Sequence, residues 1–279
     1  MDKNFYKCLG FNNTKRLKKP LFFFHVPKCA GTTFAVLISH LFKKTHRLFG
    51  TLFKNNDKGG QTAYENYLEN EKLINNNNLQ FLYGHTPFEI YERLKKKYFF
   101  ISILREPIER CVSHYAWLIN RGFCDKKDDI DELFKKNILP RNVITNQFSG
   151  IGLTDQNSNE SVILALGNLK NKIDLLVKSE DLFKFLNFII SAYNLPNLFF
   201  QNQQVNYNKI KISKKNIEKI RSYNEHDTII YSELLQNNIF ENYDRKKYKD
   251  RNIVNYLYSS PDILVNNKKS ILLNKNKIT

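Results

Sequence analysis

Two rhythms of hydrophobic and polar positions run along the chain. Leu21–Val26 is a short, mostly apolar run closed by Pro20 and Pro27, the pattern of a strand buried on both faces. Leu79–Tyr83, Tyr98–Leu104 and Ile173–Val177 repeat that pattern. Between them lie segments with the three-to-four residue period of amphipathic helices. Thr33–Lys44 carries Phe34, Leu37, Ile38, Leu41 and Phe42 on one face. Phe88–Lys97, Pro107–Asn120, Asp181–Tyr193 and Asn216–Asn237 read as further helices, with Pro107 in a first turn, where proline is tolerated, and Ser179 as an expected N-cap. Tyr64–Ile74 and Ile130–Lys136 are shorter helical stretches, the second following a cluster of aspartates. The rest of 45–78 is polar and irregular, with Gly59-Gly60 and the run Asn75–Asn78. Alternating strands and helices predict an α/β fold with a mostly parallel central sheet flanked by helices. Residues 1–19 are expected to form a basic N-terminal arm, 20–245 a single domain, and 246–279 a peripheral or partly ordered tail.

Composition narrows the picture modestly. The chain has 279 residues, 42% of them hydrophobic, enough for a sizeable core. A formal net charge of +17 favours anionic ligands: nucleic acid, lipid headgroups, nucleotides or acidic glycans. Lysine rises together with asparagine, isoleucine, phenylalanine and tyrosine, which is also the mark of an AT-rich coding bias, so the charge names no specific partner and no specific nucleic acid. Cys8, Cys29, Cys111 and Cys124 lack CxxC spacing, which argues against zinc and a disulfide framework and for a reducing compartment. No apolar run reaches the length of about 20 residues that crosses a bilayer, and the N-terminus lacks the apolar stretch of a signal peptide. The expectation is a soluble, cytoplasmic protein with scope for peripheral membrane association. The oligomeric state is not legible.

The first candidate site is the loop Pro27-Lys28-Cys29-Ala30-Gly31-Thr32-Thr33, which joins the first strand to the first helix. A helix N-terminus offers unpaired N–H groups and the positive end of the helix dipole. Gly31 permits close backbone approach, Lys28 adds a mobile cation, and Thr32 and Thr33 add hydroxyls. Together they form an anion cradle. It is not a Walker loop, because the lysine precedes the only glycine. Cys29 has no functional reading beyond its place in the loop.

The second is Ile103-Leu104-Arg105-Glu106-Pro107-Ile108-Glu109-Arg110-Cys111-Val112-Ser113-His114-Tyr115. A buried strand delivers Arg105 at its C-terminal end, the edge at which open α/β sheets bind ligands. Ser113 lies about two turns into the following helix. Arg105 by its guanidinium fork and Ser113 by its hydroxyl can meet one phosphate. The competing reading pairs Arg105 with Glu106 or Glu109.

Taken together, the two motifs resemble the carbohydrate sulfotransferase family, especially the branch with the heparan sulfate 2-O-sulfotransferases. Family members use 3′-phosphoadenosine 5′-phosphosulfate (PAPS). The resemblance implies a three-layer fold like that of P-loop kinases. It places the 5′-phosphosulfate on Pro27–Thr33 and the 3′-phosphate on Arg105 and Ser113. Asn142–Gly150 resembles a further family segment, with Asn146-Gln147 where the family has Thr-Arg. Ile173–Leu182 and Asn224–Tyr231 resemble two more, so the likeness spans residues 20–240.

Transfer to a hydroxyl needs a base, and histidine suits that task at neutral pH. His85, after Gly84 at a strand end, is the candidate, and the resemblance implies the same position. The branch has another histidine two residues earlier, where this chain has Tyr83. His25 is expected to pack and orient the loop, His114 to support the site, and Trp117 to be core; His40, His46 and His226 have no expected role. The predicted reaction is in-line sulfuryl transfer from PAPS, with Lys28 and His85 catalytic and no metal. The acceptor is expected to be a hydroxyl of a glycan or glycolipid, in a pocket shaped by 45–78, 121–140 and the chain after 195. The rival readings are a nucleotide-dependent kinase and a non-catalytic protein that binds anionic glycans.

Overall fold

The computed structural model describes residues 17–50, 62–76, 78–95, 97–150, 158–195, 197–199, 211–240 and 270–272. The arm before Leu17 and nearly all of the tail lie outside the described residues. Leu17 and Lys19 are tied down, by Leu17 N–H to the Ala192 carbonyl at 2.9 Å and by Tyr193 Oη to the Lys19 carbonyl at 2.9 Å.

Five strands make the central sheet: β1 (Leu21–Phe24), β2 (Thr45–Leu48), β3 (Phe81–Gly84), β4 (Phe99–Leu104) and β5 (Leu175–Lys178). They are all parallel and lie in the order β2-β3-β1-β4-β5. The α/β prediction therefore holds. A second, two-stranded parallel ladder pairs β6 (Asn197–Phe199) with β7 (Ser270–Leu272).

All four residues of β1 are fully buried, as its uninterrupted apolar pattern requires. Successive side chains go to opposite faces. Phe23 packs edge-on against Phe34 of α1 (Gly31–Leu41) at 4.8 Å, and Phe34 stacks on Phe185 of α8 (Leu182–Ala192) at 4.9 Å. On the other face Phe24 meets Phe88 at 5.4 Å and Phe148 of α6 (Val143–Phe148) at 5.8 Å. Each buried phenylalanine contributes roughly 1.5–3 kcal/mol of transfer free energy, so this aromatic stack is a large part of what holds the layers together.

The remaining helices are α2 (Ala63–Ile74), α3 (Ile90–Arg93), α4 (Pro107–Asn120), α5 (Ile130–Lys135), α7 (Asn159–Asn171), α9 (Lys214–Tyr223) and α10 (Glu225–Gln236). Helix α2 opens with a capping box between Thr62 and Glu65. A second apolar cluster unites Cys111, Tyr115 and Leu118 of α4 with Leu133 and Phe134 of α5 and Ile220 of α9. Among the described residues, no helix is long and apolar enough to cross a membrane.

Several expected elements differ. Helix α1 begins at Gly31 rather than Thr33, and the helix expected over Phe88–Lys97 is the single turn of α3, after which Leu94 is extended and leads into β4. Ser179 is no N-cap: it starts a 3-10 turn, Ser179–Asp181, whose own cap residue, Lys178, makes no side-chain cap bond. The helix expected over Asn216–Asn237 breaks at Asn224, which leaves helical geometry at φ −122°.

The break at Asn224 is part of a buried polar bracket. Asn224 Oδ1 accepts from the Asn142 amide at 3.2 Å and from Arg110 Nη2 at 3.4 Å. Three residues later, Asp227 accepts from the amides of Ile144 (3.0 Å) and Thr145 (2.7 Å) and from Thr145 Oγ1 (2.8 Å). Asn142, held at φ 45°, accepts at its Oδ1 from the Asp227 amide. Burial pushes the Asp227 carboxyl up, while the fully buried Arg110 and these three donors oppose that shift. Asp227→Ala should strand Arg110 without a counter-charge and two amides without an acceptor. The expected loss is about 3–5 kcal/mol in chemical denaturation, with Asp227→Asn, which keeps one acceptor, losing less. Stability unchanged in the alanine variant would contradict the bracket.

Candidate functional site

Parallel pairing brings the C-terminal ends of β1, β3 and β4 to one edge of the sheet. Phe24 sits opposite Gly84 on one side and Ser102 on the other. Continuing past those pairs, the chain delivers His25, His85 and Arg105 at that edge. It is also where the strand order reverses about β1, the usual location of ligand crevices in such sheets.

The loop after β1 is locked in an uncommon conformation. Lys28 (φ 67°) and Ala30 (φ 61°) are both left-handed, which costs a non-glycine residue about 1 kcal/mol or more. Between them Cys29 is wholly buried, its Sγ 3.8 Å from the Pro27 carbonyl and against the Arg105 backbone amide. Burial pushes its thiol up to about 12, so it stays protonated and acts as the loop's inward plug. That gives Cys29 the account that the sequence did not.

Ala30 is the N-cap of α1 and provides no side-chain cap bond. Thr32 and Thr33 are exposed in the first turn. Gly31 is compelled by space: a Cβ there would lie 2.2 Å from Cδ2 of His25. The His25 ring therefore covers the start of the helix. It is sandwiched between Phe23 at 5.3 Å and His85 at 4.2 Å.

Three cations surround this loop. Burial, then the charges of Arg105 and Arg121, bring the Lys28 ammonium down to about 8. Arg121 is exposed at the C-terminal end of α4, and sequence reading did not single it out. Arg105 Nε is 3.2 Å from Glu109 Oε2, the competing pair considered from the sequence. That pair is solvent-exposed and worth about 0–1 kcal/mol, so an incoming phosphate can displace the carboxylate. The Glu106 side chain caps α4 by accepting from the Glu109 amide at 2.7 Å, and Ser113, partly exposed, follows Glu109 by one turn.

His85 Nδ1 lies 2.8 Å from the His25 carbonyl oxygen. A carbonyl only accepts, so Nδ1 carries the proton and the neutral ring presents a bare Nε2. Burial holds His85 below the usual histidine value; the bond to His25 opposes the shift, and Arg47 on β2 adds to it. His25 is pushed well below that value by burial, with His85, Arg47 and Lys28 adding to the shift. His114 is brought down to about 3 by burial and by Arg110, Lys28 and His85. All three rings are thus neutral near pH 7.

Gln147, at a position where the resembling segment has an arginine, is fully buried and donates to the Thr86 carbonyl at 3.0 Å and the His25 carbonyl at 3.4 Å. It therefore fastens α6 to the turn after β3 and offers no cation. Trp117 packs against the second apolar cluster, as a core residue would, yet it is only partly buried and also lies beside the loop, with Lys28 Nζ 5.3 Å from its ring centre. Its spacing of four residues from Ser113 was the available signal. Arg47 had none, because it stands in a polar stretch that reads as irregular.

A cleft of about 320 Å³ lined by Phe134, Lys135, Asn137, Arg141 and Tyr223 shares no residue with this edge. Among the described residues, no group of three or more His, Cys, Asp or Glu side chains is placed to hold a metal ion.

No curated protein matches the chain at a significant level. The profile of the Sulfotransferase family matches residues 16–255, a span that takes in every element from β1 to α10 and both motif loops. On a match of that extent, the chain belongs to the sulfotransferase family.

Proposed function

We propose that the protein transfers the sulfuryl group of PAPS to a hydroxyl of a carbohydrate, on a glycan or glycolipid, with His85 as base. The observation that carries this reading is the His85 Nδ1 bond to the His25 carbonyl, which leaves a basic nitrogen beside the Lys28 loop. The donor set suits PAPS: a helix start without a side-chain cap, two exposed threonine hydroxyls, and cations whose mutual repulsion an anion relieves.

In this reading the loop Pro27–Thr33 holds the 5′-phosphosulfate, with Cys29 contributing backbone only, and Arg105 with Ser113 holds the 3′-phosphate. When bound, PAPS supplies the sulfuryl group and a phosphate leaving oxygen. His85 Nε2 takes the acceptor's proton as the hydroxyl oxygen bonds to sulfur, and Lys28 stabilises the charge that gathers on the leaving oxygen. The work is positioning and electrostatics. Arg47 is exposed on the far side of His85 and its charge reaches that ring, which supports an anionic acceptor such as an acidic glycan. The resemblance to the heparan sulfate 2-O-sulfotransferase branch agrees, although Tyr83 replaces that branch's second histidine.

Calorimetry with adenosine 3′,5′-bisphosphate and with ATP tests the donor. Tight binding of the bisphosphate without magnesium is expected; magnesium-dependent binding of ATP alone would favour a kinase. Lys28→Ala should lower kcat by roughly 10²-fold or more, and His85→Ala by roughly 10²–10⁴-fold. Binding of the bisphosphate with no turnover on any hydroxyl acceptor would leave a non-catalytic binder.

The pH profile follows from two groups. The base must be neutral, so kcat/KM rises with pH through a value below the usual histidine range. Lys28 must be charged, so activity falls as pH rises through about 8. A bell is therefore expected, and Lys28→Arg should abolish its alkaline limb because arginine stays protonated. An unaltered alkaline limb in that variant would remove Lys28 from the mechanism.

A further inference from the structure

Lys28 stands on a left-handed turn, and its ammonium lies 5.3 Å from the centre of the Trp117 ring. That ring is itself held. His114, one turn earlier on α4, is 5.8 Å away by ring centroids, and Phe123, just past the helix, is 5.6 Å away. Trp117 also packs against the apolar cluster of α4, α5 and α9 while staying partly exposed, so its indole is anchored on one side and meets Lys28 on another.

The surroundings of Lys28 make such a surface useful. Arg105 at the end of β4 and Arg121 at the end of α4 repel the ammonium. His114 on α4, His85 after β3 and His25 after β1 are the titratable rings around it, and all are neutral near pH 7. An aromatic face attracts a cation without taking up its N–H donors. A carboxylate in the same place would hold the lysine more strongly, but it would also repel an anionic ligand.

We propose that Trp117 is a positioning residue, whose indole face holds the Lys28 ammonium against Arg105 and Arg121 and aims it at the anion bound by the loop. The proposal rests on the reading of Lys28 as the group that meets the phosphosulfate. It adds that the aim of this lysine comes from a residue outside the loop.

Trp117 is the only tryptophan in the chain, so indole emission reports on this ring alone. Emission of the full-length protein, followed against pH, should show a transition near 8 as the ammonium over the ring loses its proton, and Lys28→Met should abolish that transition. Adenosine 3′,5′-bisphosphate should change wild-type emission to saturation. Trp117→Leu should lower kcat by about tenfold and move the alkaline limb to lower pH, because loss of the cation–π contact destabilises the charged lysine. Trp117→Phe should restore the limb most of the way. A Trp117→Leu variant with wild-type kcat and an unmoved limb would overturn the proposal. If that variant does not fold, a wild-type emission transition that persists in Lys28→Met overturns it instead. The two readings fail differently. Full turnover in Lys28→Ala removes the role of the lysine itself. Lost turnover there, with an intact Trp117→Leu, removes only the role of the indole.

Discussion

The carbonyl oxygen of His25 accepts from His85 Nδ1 at 2.8 Å and from Gln147 Nε2 at 3.4 Å. One backbone atom thus joins the end of β1, the turn after β3 and helix α6. The first bond fixes the tautomer of the candidate base. The second depends on α6 staying in place, and α6 is pinned by Asp227 through the amides of Ile144 and Thr145. Asp227 on α10 thus anchors α6, and α6 in turn supplies the Gln147 side chain that shares the His25 carbonyl with His85.

Charge at the site follows the same economy. Burial keeps His25, His85 and His114 neutral, so the positive charge acting on this edge comes from lysine and arginine, with Lys28, Arg105 and Arg121 on one side and Arg47 on the other. Excess cations near a helix start favour an anion strongly in a partly dehydrated environment. The buried thiol of Cys29 adds no charge, because burial holds it protonated. In the proposed reading, electrostatic selectivity comes from the few residues at the sheet edge, and the high overall charge of the chain is not needed to explain it.

The central strands and the helices after them were legible because full burial writes itself as apolar runs. β1 and β4 are buried along their whole length, and the sequence shows it. β2 was not legible. It is an edge strand with one buried residue, Leu48, and its sequence Thr45-His46-Arg47-Leu48 carries no run. Helix α6 was missed for another reason: it is one short stretch whose buried residues include Thr145 and Gln147, held by hydrogen bonds rather than by apolar period. The break at Asn224 was hidden because a polar residue in a long helical pattern ordinarily faces solvent. The site motifs Pro27–Thr33, Arg105 and His85 were visible as local patterns. Arg121 and Arg47 were not, because what brings them there is tertiary, and Trp117 was marked in the sequence only as a core residue.

The two left-handed residues of the loop, Lys28 and Ala30, carry a consequence for how ligands arrive. Their strain is borne by the packing of Cys29 beneath them and by the His25 ring over Gly31. In the proposed reading, the backbone is thus already bent into its receptive shape before encounter, and little chain entropy remains to be lost on docking. Association at such a preorganised loop is set by diffusion and electrostatic steering. Differences in affinity among anions then appear in how long each one stays.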